Sequence, residues 1–276
     1  MQISFIIPSY NHKDFIEDAL ASVATQKLAG GSFEVLIFDG GSTDGTIESL
    51  ARHPLVDVFE FRPDGGQADA VNKGLKRARG EIIAWLNSDD AYLPSALDGV
   101  LQIFHERPEV DVIYGQAIDI DGQGRELGPT KVLPWSKASL LDSCIISQPA
   151  CFFRKRFVER NGPLREDLHL TLDYEYWLRA SDWAVFAYLP RPLAYNRIHP
   201  QAKSSRAAVE QMRESAQVVH AHSGQWRRAW LRRVASARAR QFLKLTPDQD
   251  NKLRYCLSGL LYVAYWTRIR LGLCPF

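Results

Sequence analysis

Short apolar runs alternate with segments of helical periodicity along residues 1–114 of the chain. The runs predict strands at 3–7, 33–38, 56–61, 81–86 and 110–114. The segments between them carry apolar residues three and four positions apart and predict helices at 13–26, 43–51, 67–79 and 94–106. Strands that alternate with helices favour a mostly parallel sheet with helices on both faces. The sequence therefore predicts an α/β fold.

A polar segment follows each of the first four predicted strands, at 8–11, 39–45, 64–67 and 87–90. In parallel sheets, ligands bind outside the carboxyl ends of the strands. Four segments that lie far apart in sequence are therefore expected to meet at one edge of the sheet. Each segment alone could be a turn or a helix cap, but four in succession favour a binding site.

Two adjacent aspartates, Asp89 and Asp90, end the fourth of these segments. Carboxylates this close repel each other and resist losing water, so a cation usually accompanies them. Mg²⁺ and Mn²⁺ prefer oxygen ligands and commonly bridge carboxylates to a phosphate. We therefore expect Asp90, with Asp89, to bind a divalent cation, Mn²⁺ or Mg²⁺, that neutralises a diphosphate leaving group. The alternative is a solvated turn that caps the next helix.

Asp39 ends the second predicted strand and is expected to face the same crevice. A carboxylate there can accept hydrogen bonds from a ribose hydroxyl or a base N–H. Its alternative role is to cap the following helix, which Thr43 or Asp44 could do instead. The first strand is not followed by G-x-G-x-x-G, and the chain contains no G-x-x-x-x-G-K-[ST] motif. A dehydrogenase or a P-loop ATPase is therefore poorly supported.

Four motifs, taken in order, resemble those of the family 2 glycosyltransferases. They lie at 7–11 (IPSYN), 39–45 (DGGSTDG), 72–80 (NKGLKRARG) and 87–94 (NSDDAYLP). The resemblance extends over residues 1–200. It implies a GT-A fold with a Rossmann-like sheet, a nucleotide-sugar donor, a divalent metal and inversion at the anomeric carbon.

The resemblance also implies roles for individual residues. The positions that match Pro8, Ser9, Tyr10 and Asp39 contact the nucleobase and ribose in this family, and Asp89-Asp90 match its D-x-D-type metal and ribose motif. The full set that we assign to donor binding in these loops is Pro8, Ser9, Tyr10, Asn11, Asp39, Gly66, Gln67, Asn72 and Asp89. This sequence departs from the family's motif at Asn87, where many members carry Asp.

Asp173 matches the catalytic aspartate of the family, at the start of a helix predicted over 172–179. An inverting transfer needs a base that deprotonates the acceptor hydroxyl. A carboxylate at a helix N-terminus is stabilised in its ionised form by the helix dipole. Simple N-capping is the alternative role, and Glu175, within one helical turn, is the second candidate for the base.

His199 resembles a metal-contacting or lid position of some GT-A enzymes, although a lone histidine can also be structural. Lys203 and Ser204 follow it and are expected to close over the diphosphate. We therefore add His199 to the metal ligands, and Lys203 and Ser204 to the donor-binding residues.

The chain is predicted to consist of a GT-A catalytic domain, 1–204, and a basic helical C-terminal extension, 205–276. The catalytic domain would contain a nucleotide-binding half, 1–114, and an acceptor half, 115–204. Formal net charge is −8 for residues 1–202 and +10 for 203–276, which together give the +2 of the whole chain. The charged part of the extension lies away from the predicted site, so we expect no nucleic-acid partner.

Basic helices with tryptophans, here Trp226 and Trp230, can lie in a membrane interface, where anionic lipid attracts each Lys or Arg by ~1 kcal/mol. The apolar run 256–266 is too short for a membrane span, which needs about 20 residues. Four cysteines without C-x-x-C spacing and the lack of a signal-peptide pattern favour the reducing cytoplasm. We therefore expect a protein peripheral to the inner face of the membrane. The alternatives are that the extension packs on its own core or forms a dimer.

These observations predict an inverting, metal-dependent hexosyltransferase. It would move a sugar from a nucleotide-diphosphate sugar, with UDP as the preferred nucleotide, to a hydroxyl of a glycan or lipid-linked glycan in cell-surface polysaccharide synthesis. A metal-dependent sugar nucleotidyltransferase is one alternative, although the chain lacks a Gly-rich loop with Lys or Arg after the first strand. A non-catalytic nucleotide-sugar-binding protein is the other.

Overall fold

A computed structural model of the chain describes residues 2–26, 32–203, 207–244 and 252–276. The chain divides into two compact units. The first consists of Met1–Ser136 and Ile145–His199, and the second of Lys137–Cys144 and Pro200–Phe276. The domain boundary at 204 and the nucleotide and acceptor halves stay predictions.

The first unit is built on one sheet. Its strands are β1 Gln2–Ser9, β2 Ser32–Asp39, β3 Val58–Phe61, β4 Ile82–Trp85, β5 Ala91–Tyr92, β6 Val112–Asp121, β7 Glu126–Pro129, β8 Cys151–Arg154 and β9 Phe186–Ile198. They are ordered β3-β2-β1-β4-β8-β6-β9-β5, and β7 pairs with β6 outside this path. β3, β2, β1 and β4 are mutually parallel, whereas β8 runs antiparallel to both β4 and β6. The carboxyl ends of the first four predicted strands therefore lie at one edge.

The helices of the first unit are α1 Lys13–Ala24, α2 Thr46–Leu50, α3 Gln67–Arg77, α4 Ala96–Glu106, α6 Lys155–Asn161 and α7 Leu172–Ala180; α5, Lys137–Asp142, belongs to the second unit. The five strands and four helices predicted in residues 1–114 are all present. The second helix begins later than predicted because Asp44 caps it: Asp44 Oδ1 accepts hydrogen bonds from Thr46 N (3.0 Å) and Thr46 Oγ1 (2.6 Å). The fifth predicted strand is longer, because residues 112–121 pair in parallel with β9.

β1 is the central strand of the parallel part, and its residues from Ile3 to Ser9 are buried. At Gly80, just before β4, a Cβ atom would lie 2.6 Å from the backbone N of Ser4, so no side chain fits there. Gly80 N instead donates a hydrogen bond to Ser4 Oγ at 2.8 Å. Close packing against β1 thus fixes where β4 enters the sheet and where the Asn87–Asp90 loop leaves it.

The second unit contains α5 and three further helices, α8 Ala208–Ser223, α9 Arg228–Phe242 and α10 Lys252–Arg270. Gly224, with φ +69°, ends α8 and separates it from α9. Among the described residues, no helix has both the length and the hydrophobicity that crossing a membrane requires.

Trp230, one of the two tryptophans expected at a membrane face, packs inward. Trp230 is 4% exposed, and its Nε1 donates a hydrogen bond to Leu141 O at 3.1 Å. Trp226 stacks on His220 with ring centroids 4.1 Å apart. A buried indole that has a partner for its N–H stabilises a core, so Trp230 agrees with the alternative in which the extension packs on its own core, and membrane contact stays a prediction.

Candidate functional site

The four predicted loops contact one another at the carboxyl edge of the sheet. Asn11 Oδ1 accepts a hydrogen bond from Thr43 N (2.8 Å), which joins the first loop to the second. Gln67 Nε2 donates to Asn87 Oδ1 (2.7 Å), which joins the third loop to the fourth. His12 Nδ1 lies 2.7 Å from Ser88 Oγ, which joins the first loop to the fourth. The expectation that these loops form one edge is confirmed.

The first loop offers one exposed aromatic ring at this edge. Pro8 and Ser9 are buried in β1, and Ser9 pairs in register with Asp39. Asn11 has φ +53°, a left-handed conformation that asparagine tolerates better than most residues. The chain turns there so that Tyr10 projects outward and is 59% exposed. Its ring carbon Cδ2 would lie 3.3 Å from a Cβ atom at Gly40.

Asp39 is more constrained than the sequence suggested. Its Oδ1 accepts hydrogen bonds from Gly41 N (3.0 Å) and Ser42 N (2.7 Å), and its Oδ2 accepts one from Ser42 Oγ (2.6 Å). Asp44 hydrogen-bonds to Thr46 at the start of α2. Asp39 is nevertheless not free, because the loop turns back at Gly41 (φ +92°) and directs the N–H groups of Gly41 and Ser42 toward it. Carboxylate oxygens have about four acceptor sites in total, so a donor-binding role for Asp39 stays a prediction.

Asn72 is buried and has protein partners on both ends of its amide. Its Nδ2 donates to Leu164 O and to Glu166 Oε1, each at 3.0 Å, and its Oδ1 accepts from Leu164 N at 2.8 Å. These bonds fix residues 164–166 against α3, so the geometry favours a positioning role. Gly66, with φ +103°, precedes α3 next to open space. Contacts of Gly66, Gln67 and Asn72 with a donor stay predictions.

Asn87 is an amide at a position where many members of the resembling family carry an aspartate, and its hydrogen bonds account for the difference. Its Oδ1 accepts from Gln67 Nε2 and from Trp85 Nε1 (3.1 Å), and its Nδ2 donates to Asp90 Oδ2 (3.1 Å) and Gln148 Oε1 (3.0 Å). All four hydrogen-bonding positions of the amide are used. An aspartate here would place a carboxylate against two acceptor oxygens, so asparagine suits this network.

Asp90 is turned into the protein. It is 3% exposed; Oδ1 accepts a hydrogen bond from Arg197 N (2.9 Å), and Oδ2 accepts the one from Asn87. Arg197 also donates from Nε to Asp89 O at 2.9 Å. Asp90 therefore orders the loop that presents Asp89. A metal role for Asp90 stays a prediction, and the geometry favours Asp89.

Asp89, His199 and His12 form a cluster whose ligand atoms all lie within 4.8 Å of one another. Asp89 Oδ2 lies 3.1 Å from His199 Nε2 and 3.9 Å from His12 Nε2. The two imidazole rings meet edge to face with centroids 5.8 Å apart. His199 is 4% exposed and packs on Phe15. The structure thus brings the predicted residues Asp89 and His199 together and adds His12.

The electrostatics shift the pKa values of the two aspartates in opposite directions. Burial, reinforced by the charge of Asp89, raises the pKa of Asp90 well above its usual range, although hydrogen bonds from Arg197 and Asn87 oppose it. Burial also acts to raise the pKa of Asp89, but the hydrogen bond with His199 and the charge of His12 outweigh it, so that pKa is lowered. Neighbouring like charges oppose joint ionisation, and the opposite shifts favour the negative charge on Asp89.

This cluster fits a divalent metal ion. Burial lowers the pKa of His12, which favours the neutral imidazole that metals require. Two imidazole nitrogens and one ionised carboxylate are ligands for Mn²⁺, Fe²⁺, Co²⁺ or Zn²⁺. The three side chains come from the ends of β1, β4 and β9, so the sheet brings together residues that are distant in sequence.

The predicted base lies in the first turn of α7, where Asp173 is partly buried. The second candidate, Glu175, forms a two-point ion pair with Arg179: Oε1 to Nε is 3.0 Å and Oε2 to Nη2 is 3.1 Å. Arg179 occupies both oxygens of Glu175, which argues against Glu175 as the base. Lys203 is exposed in the second unit, and Ser204 lies outside the described residues; the roles of Asp173, Lys203 and Ser204 stay predictions.

Three residues of this site were not predicted from the sequence: His12, Gln148 and Arg197. His12 immediately precedes α1, where a polar residue is expected for capping alone. Gln148 lies in a short 3-10 helix and donates from Nε2 to Trp85 O at 2.6 Å. Arg197 is 7% exposed. A buried arginine needs acidic or carbonyl partners, but the sequence does not identify which ones.

The parallel strands β3, β2, β1 and β4, with polar loops at their carboxyl ends, agree with the GT-A fold that the sequence motifs predict. The family model described as glycosyl transferase family 2 matches residues 4–164, more than half of the chain. The protein belongs to this family.

Two relatives show how much of a longer protein this chain matches. An uncharacterized glycosyltransferase of Rickettsia conorii is 28% identical over 219 residues, which cover 74% of this chain and 35% of that protein. The O-antigen biosynthesis protein RfbC of Myxococcus xanthus is 28% identical over 213 residues, which cover 75% of this chain and 16% of that protein. The chain spans about a third or less of the length of these relatives.

Two solved structures share the fold. TarS 1-349 of S. aureus in complex with UDP-GlcNAc has a TM-score of 0.66 at 20% identity, covering 90% of this chain and 74% of that chain. The mannosyltransferase PcManGT of Pyrobaculum calidifontis, in complex with GDP-Man and Mn²⁺, has a TM-score of 0.60 at 18% identity, covering 98% and 82%. These likenesses support the predicted GT-A fold.

Proposed function

We propose that this protein is a metal-dependent, inverting hexosyltransferase that uses a UDP-sugar and transfers the sugar to a hydroxyl of a glycan or lipid-linked glycan. The observation that carries the proposal is the Asp89–His199–His12 cluster, which lies where the four loops meet at the carboxyl edge of the sheet. Among proteins of similar fold, TarS binds UDP-GlcNAc and PcManGT binds GDP-Man with Mn²⁺. The relative RfbC is an O-antigen biosynthesis protein, which supports a role in cell-surface polysaccharide synthesis.

The side chains at this edge divide into three roles. Tyr10 offers an exposed ring face to the nucleobase, and Asp39, ordered by its own loop, accepts a hydrogen bond from the base or ribose. Asp89 and His199 would hold the divalent ion. When bound, that ion supplies positive charge that stabilises the departing nucleoside diphosphate. Asn87, Asp90 and Arg197 keep Asp89 in place.

The transfer itself forms one bond and breaks one. The acceptor oxygen attacks the anomeric carbon from the side opposite the diphosphate, and the bond from that carbon to the diphosphate oxygen breaks. The acceptor proton passes to the carboxylate of Asp173, and the electron pair leaves with the nucleoside diphosphate. Attack on the opposite side inverts the configuration of the sugar.

A panel of nucleotide-sugars tests this function. Purified protein is incubated with UDP- and GDP-sugars and Mn²⁺, with short glycans or lipid-linked sugars as acceptors, and release of the nucleoside diphosphate is followed. We expect release from one UDP-sugar and a product whose anomeric configuration, measured by NMR, is opposite to that of the donor. Binding of the donor without release would identify a non-catalytic binding protein. Pyrophosphate release from a nucleoside triphosphate and a sugar phosphate would identify a nucleotidyltransferase.

We also propose that the second unit attaches to an anionic membrane surface through one face of α10. Leu260 and Val263 lie on adjacent turns of that helix and are 70% and 61% exposed. Residues 203–276 carry a net charge of +10, and Arg268 and Arg270 are exposed in the last turn of α10. Exposed apolar side chains beside arginines match an interface of acyl chains and anionic headgroups.

Two arginines of α9 also contact aromatic rings of α10. The guanidinium of Arg228 lies 5.5 Å from the ring centre of Trp266, and that of Arg232 lies 5.3 Å from Tyr262. These cation–π contacts hold α10 against α9. They turn the aromatic side of α10 inward and leave Leu260 and Val263 outward.

The double variant Leu260→Glu/Val263→Glu should reduce membrane binding. Burying such side chains contributes about 1.5 kcal/mol or more each, so partition into vesicles should fall about tenfold or more. Sedimentation with phosphatidylcholine vesicles, with and without phosphatidylglycerol, measures it. Leu127→Glu, at a 60% exposed leucine of β7 in the first unit, is the matched control. Equal partition of wild type and double variant would contradict the proposed attachment.

A further inference from the structure

His12 is placed to act as a metal ligand, although it belongs to neither aspartate motif. It precedes α1, and its side chain points into the cluster with Asp89 and His199 rather than into solvent. Its Nε2 lies 3.9 Å from Asp89 Oδ2. Two atoms bound to one ion at about 2.1 Å are at most about 4.2 Å apart, so these two atoms already lie within that limit.

The other nitrogen of His12 has a partner that suits this role. Nδ1 lies 2.7 Å from Ser88 Oγ, and Ser88 is 1% exposed. Histidine ligands of metals almost always donate their second ring N–H to a neighbouring oxygen, which fixes the ring and its tautomer. With the proton on Nδ1 and shared with Ser88, the lone pair of Nε2 is directed toward Asp89.

Packing alone does not account for this arrangement. His12 contacts Phe15 with ring centroids 6.0 Å apart, and His199 contacts the same ring at 4.8 Å. Phe15 thus supports both imidazoles from one side, and both present Nε2 to the same carboxylate oxygen, Asp89 Oδ2. Two imidazole nitrogens and a carboxylate oxygen that lie within 4.8 Å of one another are close enough to share one metal ion.

We propose that His12 is the third protein ligand of the metal, and that this two-nitrogen, one-oxygen set binds Mn²⁺ or Co²⁺ in preference to Mg²⁺. The proposal rests on the metal dependence proposed above and adds a ligand and a selectivity to it. Mg²⁺ prefers oxygen ligands in a near-octahedral arrangement, whereas imidazole favours the transition metals. Removing one imidazole should therefore weaken Mn²⁺ and Co²⁺ binding more than Mg²⁺ binding.

Electron paramagnetic resonance of Mn²⁺ tests the ligand directly and without turnover. Loss of the free-ion signal on titration gives the dissociation constant, and electron spin echo modulation detects coordinated ¹⁴N. For wild type we expect nitrogen modulation that decreases in His12→Ala and in His199→Ala and vanishes in the double variant. Mn²⁺ affinity should fall about tenfold or more in His12→Ala, since even the loss of an outer hydrogen-bonding partner costs that much.

Two further variants separate ligation from folding. His12→Gln keeps a polar side chain and an oxygen that can face the metal, so its preference for Mn²⁺ over Mg²⁺, measured by competition, should fall. His53→Ala removes a histidine that pairs with Glu17 and lies outside the cluster, and its Mn²⁺ affinity should equal that of wild type. Circular dichroism confirms that each variant is folded, and if His12→Ala is not, His12→Gln provides the test.

The outcomes for His12 and for the proposed function are distinct. Unchanged nitrogen modulation and Mn²⁺ affinity in both folded His12 variants would overturn the ligand role of His12 and leave metal-dependent transfer intact. Wild type that binds no Mn²⁺ but releases nucleotide in the donor panel would overturn this proposal and the metal dependence, but not the transferase. Wild type that binds Mn²⁺ through nitrogen yet turns over no donor would overturn the proposed transfer alone.

Discussion

Replacing Asp89 by Asn should lower kcat/KM for nucleotide release about 100- to 1,000-fold, the loss typical when one electrostatic group that stabilises the leaving charge is removed. Asparagine keeps the shape of the side chain but removes the negative charge that lies 3.1 Å from His199 Nε2. The loop itself should persist, because Arg197 Nε binds the backbone oxygen of residue 89 and Asp90 binds Arg197 N. The rate is measured at several Mn²⁺ concentrations.

Asp98→Asn is the matched control for this variant. Asp98 is exposed in α4 and lies outside the cluster, so its substitution should leave the rate unchanged. We expect the Asp89→Asn defect to persist at high Mn²⁺ if the bound ion is misplaced relative to the leaving group, and to be partly recovered if the loss is one of metal affinity alone. Wild-type turnover of Asp89→Asn at every Mn²⁺ concentration would remove the metal site from the mechanism.

Replacing Asp173 by Asn should lower kcat about 100- to 10,000-fold, the range for loss of a general base. Asparagine can still accept a hydrogen bond from the acceptor hydroxyl but cannot take up its proton. The substitution leaves Asp89, His12 and His199 unchanged, so donor KM and Mn²⁺ affinity should stay near wild type. Steady-state kinetics with varied donor, together with Mn²⁺ titration, separates the two effects.

Glu175→Gln provides the comparison on the same helix. Its carboxylate pairs with Arg179, so the variant should lose stability, measured as a lower melting temperature, and keep most of its turnover. If Glu175→Gln instead loses turnover and Asp173→Asn keeps it, the base has been assigned to the wrong residue. Full activity in both variants would contradict transfer by a carboxylate base on this helix.

The parallel part of the fold could be predicted because each buried strand is a nearly continuous apolar run with a polar loop at its end. The residues at which helices and strands begin and end depend on interactions that the hydrophobic pattern does not contain. Asp44 delays α2 by capping at Thr46, and β6 extends to residue 121 because β9 lies beside it. Residues outside a helix or strand thus decide where it begins or ends.

The site could be predicted in part for the same reason. Adjacent aspartates marked the fourth loop, but which one faces the ligand depends on Arg197, whose backbone N–H turns Asp90 inward. His12 had no sequence signal of its own, because it lies 76 residues from Ser88 and meets Asp89 only through the sheet. In the second unit, tryptophans and arginines predicted a membrane face, whereas Trp230 is buried and Arg228 and Arg232 contact aromatic rings of α10.

Calorimetric titration of UDP and GDP into the protein with Mn²⁺, and into the same protein with EDTA, tests most directly whether a metal at Asp89 and His199 binds the nucleoside diphosphate. UDP should bind at least about tenfold more tightly with Mn²⁺, since metal coordination of the diphosphate adds several kcal/mol of charge stabilisation. Asp89→Asn should lose that difference. Equal affinity with Mn²⁺ and with EDTA in wild type, or a Mn²⁺ effect that Asp89→Asn retains in full, would contradict the metal site proposed here.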